Sequence, residues 1–212
     1  PNQRLINGQT QLLGAFNQAN AALALLMAVE LGIDPTVAAA GIARVKTVPG
    51  RLEIVKMPDG DNGPLAVVDF AHTPDQITAL TSALRPVTKG RLILVIGAGG
   101  LRDQGKRPQM GAAAARGADI VLITDDNPRD EDPAEIRAAL LAGARRHPTA
   151  QVLEIPGRQQ AVTKAVALAQ GGDTLVLAGK GHETSQEIAG QQQKWDDRQA
   201  LSKALQEHGP WT

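Results

Sequence analysis

Cysteine and tyrosine are both missing from the 212-residue sequence, and only two phenylalanines and two tryptophans are present. Without cysteine there can be no disulfide, no thiolate metal ligand and no cysteine nucleophile. That usage fits a reducing compartment, and the expected location is the cytoplasm. With so few rings the core must be built from Ala, Val, Leu and Ile, and base stacking is a poor candidate for the main binding mode. Neither sign of charge is in excess, with 22 Lys+Arg against 22 Asp+Glu. Nothing therefore points to nucleic acid or to an anionic membrane. No apolar run approaches the roughly 20 residues of a membrane span. The opening PNQRLINGQT lacks a secretory pattern and an initiator methionine, so the chain is expected to be a piece of a longer one. Its 42% hydrophobic and 21% charged residues suit one large globular domain, or one domain and a fragment.

Several familiar motifs also fail. GAGGLRDQGKRP lacks the third glycine of a dinucleotide loop, because Arg102 occupies that place. AGKGHE is no Walker loop: Thr174 and Gly181 stand where glycine and Ser/Thr are required. There is no G-x-S-x-G nucleophile elbow. His72, His147, His182 and His208 are scattered without metal-ligand spacing. No metal site and no catalytic residue is assigned.

What is present is a regular alternation. Apolar spacing predicts a helix over 17–31, stopped by Gly32, and Asp34-Pro35 starts a second through about Val45. After the break at VPGR, RLEIVKMPDGDNGPLAVVDF reads as a strand, a loop around Asp59 to Gly63, and another strand. Apolar runs at 65–70, 92–96, 120–123, 152–155 and 174–178 then alternate with helical stretches at 75–84, 108–116, 133–146, 158–169 and 196–207. Continuous β-branched and leucine runs mark strands buried on both faces. The predicted fold is an α/β, doubly wound, mostly parallel sheet with a helical segment in front of it.

In such sheets ligands bind beyond the carboxyl ends of the strands. Those ends carry Asp69 and His72, then Gly97 to Asp103, then TDDNPR at 124–129, and finally Gly179 to Glu183. Each cluster has a bland reading: glycines as tight turns, His72 as a cap of the next helix, Asp132-Pro133 as an ordinary helix start. Arg129 is less easily absorbed, since a helix N-terminus nearby favours negative charge. An arginine there is better explained by a carboxylate held bidentately. Arg129, Asn127 and the nearby acids, with Glu183 and Arg102 from neighbouring strand ends, suit a zwitterionic amino-acid head.

The set GAFNQAN, VPGRLE, DFAHTPD, GAGGLRDQGKRPQMG, TDDNPR and AGKGHE, in that order, resembles the Mur ligase family, and most closely its diaminopimelate-adding branch. The resemblance implies that residues 1–50 are the tail of a central ATP-binding domain and 51–212 a Rossmann-like C-terminal domain. Asn17 and Asn20 would serve the adenine side of ATP. Arg51 and Asp69 would approach ATP, Asp69 through the ribose, with His72 near the nucleotide. Arg102, Asn127, Arg129, Gly179 and Glu183 would receive meso-diaminopimelate, with Asp126 and Pro128 shaping the loop. The family's P-loop, magnesium ligands and nucleotide-sugar site match nothing here. The implied reaction joins diaminopimelate to UDP-MurNAc-L-Ala-D-Glu in peptidoglycan precursor synthesis, using ATP and Mg2+, in a monomer whose C-terminal piece is inactive alone. Lysine, lacking the far carboxylate, would leave Arg129 buried and unpaired, a defect that discriminates by roughly 10⁴ in sites built around polar groups. Two departures stand out: Phe70 where the family has tyrosine, and Leu101 where it has aspartate, which removes a charge beside Arg102. A non-catalytic small-molecule-binding module is the alternative, and a folate-polyglutamylating relative a third reading.

Overall fold

The computed structural model describes residues 5–57, 62–208 and 211, so residues 59–61 of the expected Asp59-to-Gly63 loop lie outside the described residues. The chain divides into two compact units, Pro1–Val48 and Pro49–Thr212.

The first unit contains α1 (Ala15–Glu30) and α2 (Pro35–Ala43), which pack on each other. Asp34 caps α2 by accepting from the N–H groups of Thr36 and Val37, with Pro35 in the first turn. Leu25 and Ala38 are buried, while Leu23, Leu26 and Met27 remain more than half exposed.

The second unit is built on a six-stranded sheet in the order β1-β2-β6-β3-β4-β5. Its strands are β1 (Glu53–Ile54), β2 (Leu65–Asp69), β3 (Leu92–Ile96), β4 (Ile120–Ile123), β5 (Gln151–Glu154) and β6 (Thr174–Ala178). All neighbours are parallel except the short β1, which runs antiparallel to β2. Every residue of β3, β4 and β6 is buried, as their unbroken apolar composition requires when helices cover both faces. The helices α3 (Pro74–Leu84), α4 (Lys106–Gly117) and α5 (Pro133–Ala144) pack on one another, and α6 (Arg158–Leu168) packs on α7 (Asp197–His208). The core under α6 and α7 alternates along the strands, taking Val68, Ile93, Val95, Leu175 and Leu177.

Elements expected from the apolar pattern are found with ends shifted by one or two residues. The sequence reading placed nothing between β6 and the last helix, and here the structure corrects it. Ser185–Ile188 (β7) and Gln191–Lys194 (β8) form an antiparallel hairpin. Ala189 and Gly190, both at positive φ, make its two-residue turn. His72 as helix cap is also corrected. Thr73 caps α3, its hydroxyl accepting from the N–H of Gln76.

Candidate functional site: a cavity at the carboxyl ends of four strands

A cavity of about 340 Å³ opens where the loops after β2, β3, β4 and β6 meet. Six of the seven residues assigned to the amino acid line it: Arg102, Asp126, Asn127, Arg129, Gly179 and Glu183. His72 lines it as well, and Pro128 does not. The convergence follows from the topology, since parallel strands deliver all their outgoing loops to one edge. The loops can interlock because of their glycines. A Cβ on Gly100 would lie 1.9 Å from the Pro128 carbonyl oxygen. One on Gly179, at φ +112, would lie 2.6 Å from Asp126 Oδ2.

Arg129 adopts φ +54, a left-handed conformation that non-glycine residues rarely take. Neighbouring strands hold it there. Its N–H donates to the carbonyl of Glu187 at 3.1 Å, and its own carbonyl accepts from Ala189 N–H at 2.7 Å. The guanidinium donates through Nη1 to the Gly100 carbonyl at 2.7 Å, and its Nε lies 3.2 Å from Glu187 Oε2. The side chain is 21% exposed. Without ligand Arg129 is therefore partnered and partly exposed, whereas the sequence reading expected it to be buried and unpaired when no carboxylate is bound.

Asn127 and Glu183 meet directly, with Asn127 Nδ2 donating to Glu183 Oε2 at 3.0 Å. Beneath them lies Lys180, which the sequence reading did not single out. Its side chain is completely buried, and Nζ donates to Asn127 Oδ1 at 2.8 Å and to Glu183 Oε2 at 3.1 Å. Arg102, by contrast, is exposed and has no hydrogen-bond or ion-pair partner among the described residues. Leu101 beside it sits at φ +52, and its N–H donates to Glu131. Arg107 also binds Glu131, and that hydrogen bond first, then the Leu101 amide, holds the Glu131 carboxyl below its usual range.

Of the residues assigned to ATP, His72 lines this cavity, and Arg51 and Asp69 do not. Asp69 ends β2 and is buried; its two carboxylate oxygens accept from Leu52 N–H and Ala71 N–H, each at 2.8 Å. Burial pushes its carboxyl up, and the two amides and Arg51 only partly offset this. Arg51 lies over the Phe70 ring at 4.7 Å, a cation–π arrangement that needs the ring and not a tyrosine hydroxyl. His72 packs edge-on to the same ring, with Nδ1 2.7 Å from the Phe70 carbonyl. Asn17 and Asn20 lie on α1 in the first unit. Asn17 is buried with Nδ2 donating to Leu13 O at 2.8 Å, and Asn20 is exposed.

Behind the cavity is an ion pair with no exposure on either side: Arg158 Nη2 and Asp197 Oδ2 lie 2.5 Å apart. Burial alone would pull the Arg158 guanidinium down, but Asp197 outweighs it and keeps it charged. Trp195 Nε1 donates to Asp197 at 2.7 Å, which ties β8 to α7.

Chemically, the cavity offers charged donors in Arg129 and Arg102, a neutral amide donor in Asn127, and a carboxylate acceptor in Glu183. Among the described residues no group of three or more His, Asp or Glu side chains is placed to hold a metal ion. The arrangement suits a charged polar head, and the side chains lining the cavity include no nucleophile set against a base.

Residues 50–181 match the model described as Mur ligase, glutamate ligase domain. The chain is 47% identical over 210 residues to UDP-N-acetylmuramoyl-L-alanyl-D-glutamate–2,6-diaminopimelate ligase of Streptomyces avermitilis, covering 98% of this chain and 41% of that protein. It is 46% identical over 214 residues to UDP-N-acetylmuramyl-tripeptide synthetase of Leifsonia xyli, at 99% and 41% coverage. A solved UDP-N-acetylmuramoyl-L-alanyl-D-glutamate–2,6-diaminopimelate ligase superposes with a TM-score of 0.73 at 37% identity, covering 95% of this chain and 40% of that one. The chain thus spans about two fifths of the relatives it matches. A parallel α/β sheet, a cavity built from its outgoing loops, and a family model covering 50–181 lead to one conclusion: this chain belongs to the Mur ligase family.

Proposed function

We propose that this chain is the amino-acid-receiving part of an ATP-dependent ligase that adds meso-diaminopimelate to UDP-MurNAc-L-Ala-D-Glu. The observation that carries the reading is the cavity in which Asn127 and Arg129 supply N–H donors and Glu183 supplies a carboxylate. Diaminopimelate has an amino-acid head at each end. Arg129 and Asn127 take the carboxylate of the far head, Glu183 takes its ammonium, and Arg102 adds a second cation at the rim. The near amine is then held at attacking distance, which is the part of catalysis that positioning supplies.

ATP supplies the phosphoryl group that activates the acceptor carboxylate. The donor set suits its approach: Arg51 is an exposed cation braced on Phe70, and His72 stands at the cavity edge. Asp69 would reach the ribose only by sharing a carboxylate that already accepts two backbone N–H groups. Asn17 and Asn20 are assigned to the adenine side. Among the described residues no group of three or more His, Asp or Glu side chains is placed to hold Mg2+. The exposed apolar residues of α1 support reading residues 1–50 as the close of a larger ATP-binding domain, with 51–212 as the C-terminal domain. No helix among the described residues is long and apolar enough to cross a membrane; a cytoplasmic location and a monomeric state belong to the proposed reading.

The test is phosphate release by the complete ligase in the presence of ATP, Mg2+ and the nucleotide dipeptide. Turnover that requires diaminopimelate, with lysine a poor replacement, is expected. Equal use of lysine, or release independent of any amino acid, would overturn the reading.

A further inference from the structure

Lys180 follows β6 between Gly179 and Gly181, both at positive φ, and its side chain has no solvent exposure. A buried ammonium has three N–H donors and nothing to accept with. Nζ lies 2.8 Å from Asn127 Oδ1, 3.1 Å from Glu183 Oε2 and 3.7 Å from Asp126 Oδ1. Asn127 Oδ1 receives a second donor, the backbone N–H of Glu187, at 3.0 Å. Both partners of that oxygen can only donate. The amide therefore cannot be turned over, since that would set Nδ2 against an ammonium and a backbone N–H.

The consequence reaches the cavity. Asn127 Oδ1 is filled, and Nδ2 spends one hydrogen on Glu183 Oε2. Its other hydrogen has no partner among the described residues. Glu183 Oε2 is shared between Asn127 and Lys180, while Oε1 has no partner among them. Asn127 can thus offer the cavity only a donor, and Glu183 only an acceptor.

We propose that Lys180 is a positioning residue that fixes the polarity of the amino-acid site, so that a bound head must place its carboxylate at Asn127 and its ammonium at Glu183. This rests on the reading of the cavity as the diaminopimelate site. Lys180 acts through Asn127 and Glu183, behind the surface the ligand meets. Removing the ammonium leaves the Glu187 N–H as the one remaining donor to Asn127 Oδ1 and takes a positive charge away from Glu183 and Asp126, so the end of the site that receives a carboxylate is held and balanced less well. A far end with an ammonium and no carboxylate, as in lysine, loses less in such a site than diaminopimelate does.

The experiment compares the complete ligase with its Lys180→Met variant, measuring kcat/KM for diaminopimelate and for lysine together with the KM for ATP. The preference for diaminopimelate over lysine is expected to fall roughly tenfold, with the diaminopimelate KM rising and the ATP KM within about twofold. An unchanged preference, or a loss shared equally by both amino acids and ATP, would overturn the role of Lys180. If Lys180→Met does not fold, Asn127→Asp serves, because it keeps a partner for the ammonium. Exchanging the amide donor for an acceptor should raise the diaminopimelate KM at least about tenfold, and an unchanged or lower KM contradicts the assigned polarity. Failure of the underlying reading looks different: the unmodified enzyme would then show no preference for diaminopimelate, and the proposal would fall with it.

Discussion

Glu187 holds Arg129 by backbone and side chain together: its carbonyl accepts the Arg129 N–H at 3.1 Å, and its carboxylate lies 3.2 Å from Arg129 Nε. Arg129 stands at φ +54, a conformation that persists when the surroundings impose it. The hairpin of β7 and β8 supplies much of that constraint. Glu187→Ala should therefore loosen the guanidinium without touching ligand. In steady-state kinetics of the complete ligase the diaminopimelate KM should rise about twofold to fivefold, as expected for a partly exposed pair, while the ATP KM stays put. Glu187→Gln, which keeps an acceptor, should fall between the two.

Stability should depend heavily on Arg158 and Asp197. Both side chains are fully buried, so Asp197→Ala strands a guanidinium in the core. Removing one member of such a pair costs about 3–5 kcal/mol. Chemical denaturation followed by circular dichroism should show a loss of that size in the unfolding free energy. The Asp197→Leu, Arg158→Met double variant should recover much of it, since apolar replacement of the whole pair is often neutral.

The packing of α4 against α5 depends on close backbone approach. A Cβ on Gly143 would fall 1.7 Å from the Pro108 carbonyl oxygen, and one on Gly111 1.9 Å from that of Leu140. Gly143→Ala should destabilise the chain by about 1–3 kcal/mol, as overpacking does. Thermal unfolding measures it, and an unchanged midpoint would show that the helices can part without penalty.

Asp173 gives the pH dependence a definite sign. Burial would raise its carboxyl, but the Arg91 side chain and the Arg91 and Gln170 amides outweigh that and hold it below the usual range. A carboxyl depressed in the fold contributes stability that is fully present above the ordinary aspartate value near 4 and is lost as pH falls through the folded value. The stability gap between the unmodified chain and Asp173→Asn should therefore be constant from pH 7 to about pH 4 and close below it. A gap that widened on acidification would contradict the assignment.

The legible parts of this molecule are those written in apolar residues. The runs at 92–96, 120–123 and 174–178 coincide with strands because full burial on both faces forces uninterrupted hydrophobicity. The loops after them could be read as a site because a parallel sheet sends them to one edge. The β7–β8 hairpin was not legible. Gln191 to Lys194 is wholly polar and exposed, and Ile188 is the sole apolar residue of β7. Its one signal was Gly190, placed to close a two-residue turn. Lys180 was visible only as part of a failed nucleotide motif, since burial of a lysine depends on partners from Asn127 and Glu183, distant in the chain or set by the turn. Glu187 carried no signal, because its hold on Arg129 passes largely through backbone atoms.

The central claim is that Arg129 reads the far carboxylate of a two-headed amino acid. The most direct measurement is the kinetics of Arg129→Ala in the complete ligase, with diaminopimelate and ATP varied in turn. A rise of roughly 10- to 100-fold in the diaminopimelate KM, with the ATP KM within about twofold, is the predicted result. Equal rises in both, or no change in either, would contradict it.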